Sequence, residues 1–128
     1  MTRHEKAEEG EHNMRCHKDL DVWKLSMELV TEIYELTREF PEHEIYGLSS
    51  QLRRAAVSIP SNIAEGAARN TDKDFLRFVY IASGSLAEVE TQLQIAANLE
   101  YLDDLTDVPP QLDRIRKMLV GLAKRLGS

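Results

Sequence analysis

Between Phe75 and Ala96 the chain places an apolar residue at alternating steps of four and three: Phe75, Val79, Ala82, Leu86, Val89, Leu93 and Ala96. That spacing averages one apolar residue per 3.5 positions, the signature of a helix that keeps one seam against a partner; strand side chains alternate with period two. A helix is predicted over 72–98, with Thr71 followed by Asp72 and Asp74 as its start signal. At about 1.5 Å per residue it is roughly 40 Å long. Inside it lie the small residues Ala82, Ser83, Gly84 and Ser85. Gly84 costs about 1 kcal/mol of helix propensity, and the cluster invites close approach of a second backbone, so Gly84→Leu is expected to split an assembly or unfold the chain.

Three further segments repeat the helical pattern. Over 21–39, Val22, Leu25, Leu29, Ile33, Leu36 and Phe40 form the stripe, Asp19 or Asp21 supplies the cap, and Pro41 stops the helix. Over 46–68 the stripe is Leu48, Leu52, Ala55, Ile59 and Ile63. Pro60 removes one backbone bond there, which predicts a kink near Ala56 with Ser58, Ser61 and Asn62 at hand for the freed groups. Over 109–126, Leu112, Ile115, Leu119, Leu122 and Leu126 line up behind Pro109 and Pro110, which a first turn tolerates. No stretch reads as a strand. The short connections favour antiparallel neighbours, so the expected architecture is an all-α, antiparallel up-down four-helix bundle over 19–128. Residues 1–18 have no apolar stripe and read as a disordered leader.

The 128 residues suit one domain, and the absence of any apolar run near 18 residues excludes a membrane-spanning class. The polar start and the single cysteine, Cys16, fit a cytoplasmic protein. Net charge is −6 but unevenly placed. Residues 19–46 hold eight acids and two bases, 47–80 three and five, 81–107 six and none, 108–128 one and five. Alternating signs favour pairing between neighbouring helices and leave room for a local basic patch.

Arg53, Arg54, Arg69, Lys73 and Arg77 are the candidate phosphate contacts, each worth salt-sensitive affinity for RNA. Pairing with Glu65, Asp72, Asp74 and Glu88 is the plainer alternative. Arg54, Ser58, Asn62, Glu65 and Arg69 form a polar row beside the core stripe, better read as a hydrogen-bonded interface than as catalytic, since no nucleophile–base pair joins them. His4, His12, Cys16 and His17 fit no zinc spacing, so no metal is expected, and His43 reads as merely exposed. Tyr34, Tyr80, Tyr101, Phe75, Phe78 and Trp23 are assigned to core packing rather than base stacking.

Several segments resemble one bacterial family: Leu20-Asp21-Val22-Trp23, Tyr46-Gly47-Leu48, the stretch from Gln51 through Arg53, Arg54, Pro60 and Asn62 to Gly66, and the stretch from Ala82 to Glu88. These are similar to the four-helix-bundle proteins encoded within intervening sequences of 23S ribosomal RNA genes. The resemblance implies a homopentameric ring and no known enzymatic activity. The polar row and the small-residue cluster make Ser58, Asn62, Glu65, Ser83, Gly84, Ser85 and Glu88 the candidate oligomer contacts. The leading expectation is a non-catalytic oligomeric scaffold associated with ribosomal RNA or a ribonucleoprotein, without cofactor, metal, membrane or small-molecule substrate. The rival is a protein–protein adaptor without nucleic-acid contact; an enzyme is the remote alternative.

Overall fold

The computed structural model describes residues 16–103 and 108–128. Four α-helices follow one another: α1 Asp21–Thr37, α2 Leu48–Ala67, α3 Asp72–Asn98 and α4 Val108–Arg125, with 3-10 turns at His17–Asp19 and Glu42–Glu44 and no strand among the described residues. Contacts run in a cycle, α1 on α2, α2 on α3, α3 on α4 and α4 on α1, with α2 and α3 the most extensively paired. The seven-residue α3 seam is buried throughout, as the α2 stripe is. Residues 1–15 of the expected leader, including His4 and His12, lie outside the described residues, whereas His17 stacks edge-on to Trp23 with ring centroids 5.1 Å apart.

On α1 the buried face is rotated from the expected stripe. Ser26 and Thr37 are buried, and Leu25 and Leu36 only half so. The hydroxyl of Ser26 donates to the Val22 carbonyl at 2.7 Å, and that of Thr37 to the Ile33 carbonyl at 2.7 Å. A hydroxyl satisfied by its own helix enters the core without an orphaned polar group, so these positions behave as small apolar ones. Neither Asp19 nor Asp21 caps α1: the N-cap position is Leu20, with no side-chain cap bond, and Asp21 sits in the first turn, where it suits the helix dipole. Thr71 caps α3 as expected, its Oγ1 accepting from the Asp74 amide at 3.1 Å.

α2 begins at Leu48 rather than Tyr46, because Gly47 holds the N-cap position and the Glu44 carboxylate reaches forward to accept from the Leu48 amide at 2.9 Å. The helix runs unbroken through the buried Pro60. Asn62 donates to the Ser58 carbonyl at 2.8 Å, not to that of Ala56. The expected close approach at Gly84 is absent among the described residues: none of them lies within 4 Å of a Cβ built there. It occurs instead at Gly66, where a Cβ would stand 2.7 Å from Phe78 Cβ and 2.8 Å from Phe75 Cδ1. Arg116 on α4 pairs with Glu90 on α3, which realises the sign alternation along the chain.

Candidate nucleic-acid interface

Four of the five candidate cations fall into three places, and the fifth, Lys73, is exposed in the first turn of α3. Arg53 is held against the end of α1. Its Nε donates to Thr37 Oγ1 at 2.7 Å, its second guanidinium nitrogen reaches the Tyr34 carbonyl at 3.4 Å, and its carbon lies 4.6 Å from the Tyr34 ring centre. A fixed positive charge at a helix C-terminus satisfies a carbonyl the helix leaves open and opposes the dipole. Arg54 faces the other way, into a cleft of about 300 Å³ between α2 and α3 lined with Gln51, Ser58, Glu88 and Gln92. Arg69 and Arg77 meet at the turn from α2 to α3, where both guanidinium carbons lie 4.8 Å from the ring centre of the buried Phe78. Arg69 also pairs with Glu65 at 3.5 Å. Arg53, Arg54, Lys73 and Arg77 pair with no carboxylate among the described residues. Asp72 and Asp74 occupy the first turn of α3 beside them.

The polar row is partly welded together. Ser58 Oγ and Ser85 Oγ share a hydrogen bond of 2.7 Å across the α2–α3 seam, and the Asn62 amide donates to Ser58 Oγ at 2.9 Å. Ser83, Gly84 and Glu88 stay exposed on α3, Glu88 at the mouth of the cleft it shares with Arg54, and Glu65 pairs with Arg69. Beside this row the buried Gln92 Oε1 has no hydrogen-bond partner among the described residues. Among the described residues no cluster of three or more His, Cys, Asp or Glu side chains is arranged to hold a metal.

One constellation escaped the sequence reading. His43 does more than face solvent: its Nε2 lies 3.4 Å from the Tyr101 hydroxyl and 3.8 Å from the Glu44 carboxylate, while Tyr101 donates to Glu44 Oε2 at 2.8 Å. The Leu48 amide and the Tyr101 hydroxyl hold Glu44 below the ordinary carboxylate value, and Glu44 in turn raises Tyr101. Both shifts lead away from neutrality, opposite to what a general acid or base needs. The cluster is a structural latch joining the α1–α2 connection to the residues after α3. Because Glu44 is depressed in the folded chain, its stabilisation is full above the unfolded carboxylate value and lost as pH falls through the folded one. Tyr101 contributes below its unfolded value, usually 10.0, and loses that contribution as pH rises past it. Glu44→Gln should therefore lower the melting temperature at pH 7, with the gap from the parent closing in a melting series carried to pH 3.

This is a four-helix, all-α chain whose polar groups are spent on capping, on arginine–ring stacks and on a seam of hydroxyls. Residues 18–121 match the profile of the 23S rRNA-intervening sequence protein family, and the chain belongs to that family. It is similar to the crystal structure of a protein of unknown function from the S23 ribosomal protein family of Bacteroides thetaiotaomicron VPI-5482. That protein is 25% identical, with a TM-score of 0.60 over 82% of this chain and 94% of the other. No curated protein matches the chain. None of the helices described is long and apolar enough to cross a membrane.

Proposed function

We propose that this chain is a non-catalytic, cytoplasmic scaffold that associates with ribosomal RNA or a ribonucleoprotein through the surface formed by Arg69, Lys73 and Arg77. In this reading it folds as an antiparallel up-down bundle and assembles as a homopentameric ring. The observation that carries the RNA contact is the shared stack of Arg69 and Arg77 on Phe78. Two guanidinium groups pinned to one buried ring keep a fixed separation and lose little rotamer freedom when a phosphate backbone arrives. The family's link to 23S rRNA intervening sequences supports the same class of partner. Self-association through the α2–α3 face is supported by the open surface around Gly84. Repetition of the arginine stack around a ring would multiply a modest local field despite the net negative charge.

The test is binding of a structured 23S rRNA fragment and of matched duplex DNA at about 50 and 200 mM salt, with the mass of the free protein measured alongside. RNA binding should weaken steeply with salt. Arg69→Ala/Arg77→Ala should make the log–log salt slope shallower by about 2, one per lost phosphate contact. Arg53→Ala serves as the control. It should lower stability by about 1–2 kcal/mol through the lost bonds to Thr37 and Tyr34 while leaving that slope unchanged. Identical binding by the double variant at both salts would remove the arginine stack from the interface. A ring that ignores both nucleic acids would put the adaptor reading in front.

A further inference from the structure

The connection between α1 and α2 is pinned on both sides of two apolar side chains that it leaves in solvent. After Pro41 the backbone closes a 3-10 turn, with Glu44 N–H on the Pro41 carbonyl at 2.9 Å and Ile45 N–H on that of Glu42 at 3.1 Å. Gly47 N–H bonds back to the Glu44 carbonyl at 2.9 Å, and the Glu44 side chain ties the turn to Leu48 and Tyr101. Between these fixed points Ile45 is 51% exposed and Tyr46 97% exposed. Tyr46 makes no hydrogen bond or ring contact with any described residue. A single apolar residue on a surface is ordinary. Here an aliphatic and an aromatic residue stand together on a backbone that cannot fold them inward. A tyrosine presented this way offers large contact area at the loss of only two side-chain torsions, the profile of an interface anchor.

The surroundings say what would cover it. The Phe40 and Tyr101 rings meet at 5.5 Å, which brings the end of α1 and the residues after α3 to this turn. Glu39, Glu42, Glu100 and Asp103 come with them, and none of the four pairs with a cation among the described residues. Two arginines stand near them, Arg38 and the Arg53 that is bonded to Thr37, so the acids outnumber the arginines. Such a rim repels a phosphate backbone and attracts positive charge. We infer that the Ile45–Tyr46 turn is a docking point for a Lys/Arg-rich polypeptide segment whose apolar side chain packs on the tyrosine ring. The site goes beyond the RNA reading: it lies on a different connection from the arginine stack, so either stands if the other fails.

The probe is a synthetic lysine-rich peptide with one central tryptophan, titrated into the full chain while its fluorescence anisotropy is followed, with a tryptophan-to-glycine peptide as control. Binding is expected to be salt-sensitive, at least tenfold weaker for the glycine peptide, and at least tenfold weaker for Tyr46→Ser. That variant should keep the parent's melting temperature and solution mass, because Tyr46 is almost wholly exposed and bonds to no described residue. Equal binding by Tyr46→Ser, equal binding of the two peptides, or no binding at all would each overturn the inference. A drop in solution mass on Tyr46→Ser would also overturn it, by assigning the turn to contact between copies.

Discussion

Gly66→Val should unfold the chain or destabilise it by more than about 3 kcal/mol, the upper end of ordinary overpacking. The α2 backbone passes so near α3 at this point that even one added carbon meets Phe78 Cβ at 2.7 Å and Phe75 Cδ1 at 2.8 Å. Neither neighbour is the tip of a flexible side chain. One contact is to a Cβ fixed by its own backbone, and the other to a ring sealed in the core. Gly66→Ala should lose about 1–3 kcal/mol of that kind, offset in part by about 1 kcal/mol of improved helix propensity. Urea unfolding of the two variants gives the ordering directly. Gly84 is the internal contrast. With open space around it, Gly84→Ala should gain up to about 1 kcal/mol, and Gly84→Leu should leave the folded chain intact. Of the two outcomes expected from sequence, splitting an assembly or unfolding, only the first survives, and solution mass reads it.

Phe75→Ala should destabilise the chain by about 3–5 kcal/mol, the range for removing a fully buried phenyl ring and leaving its cavity. Phe75 has no exposed surface and heads the α3 seam where α2 turns back into it. Because its ring also limits Gly66, the two positions are coupled. Phe75→Leu should cost less in the Gly66→Ala background than in the parent, by a difference that a double-mutant cycle resolves. Additive losses would show that the clash at Gly66 is taken up by the backbone rather than by the ring.

The helices were legible because their signals are redundant. The α3 seam, the Thr71 cap and the α2 stripe each follow from apolar spacing or from one side chain near its own backbone. What was illegible depended on contact between segments far apart in sequence. Gly66 looks no different from Gly84 until α3 lies against it. Glu44 looks like one of many loop acids until the tyrosine 57 residues later donates to it. The rotation of the α1 face did leave a trace, since Ser26 and Thr37 each stand four residues after an apolar residue whose carbonyl can take the hydroxyl. Helical rise already sets Arg53 about four turns from Arg69 and its neighbour Arg77, but not what each of them touches. In the fold, Arg53 closes the end of α1 and the other two share a ring at the far end of α2.

The Ser58–Ser85 bond answers a problem that a regular apolar seam creates. A helix whose core positions repeat every seven residues can slide one heptad along its neighbour and still meet apolar side chains, so hydrophobicity alone leaves the axial register of α2 against α3 weakly determined. The two hydroxyls, joined at 2.7 Å, match in one alignment. After a slip of one heptad, the buried Ser85 would face Gln51 or Glu65, longer polar side chains in place of the short hydroxyl it meets now. The pair thus acts as a vernier mark, and the alternatives it disfavours are well-packed but misaligned states more than the unfolded chain.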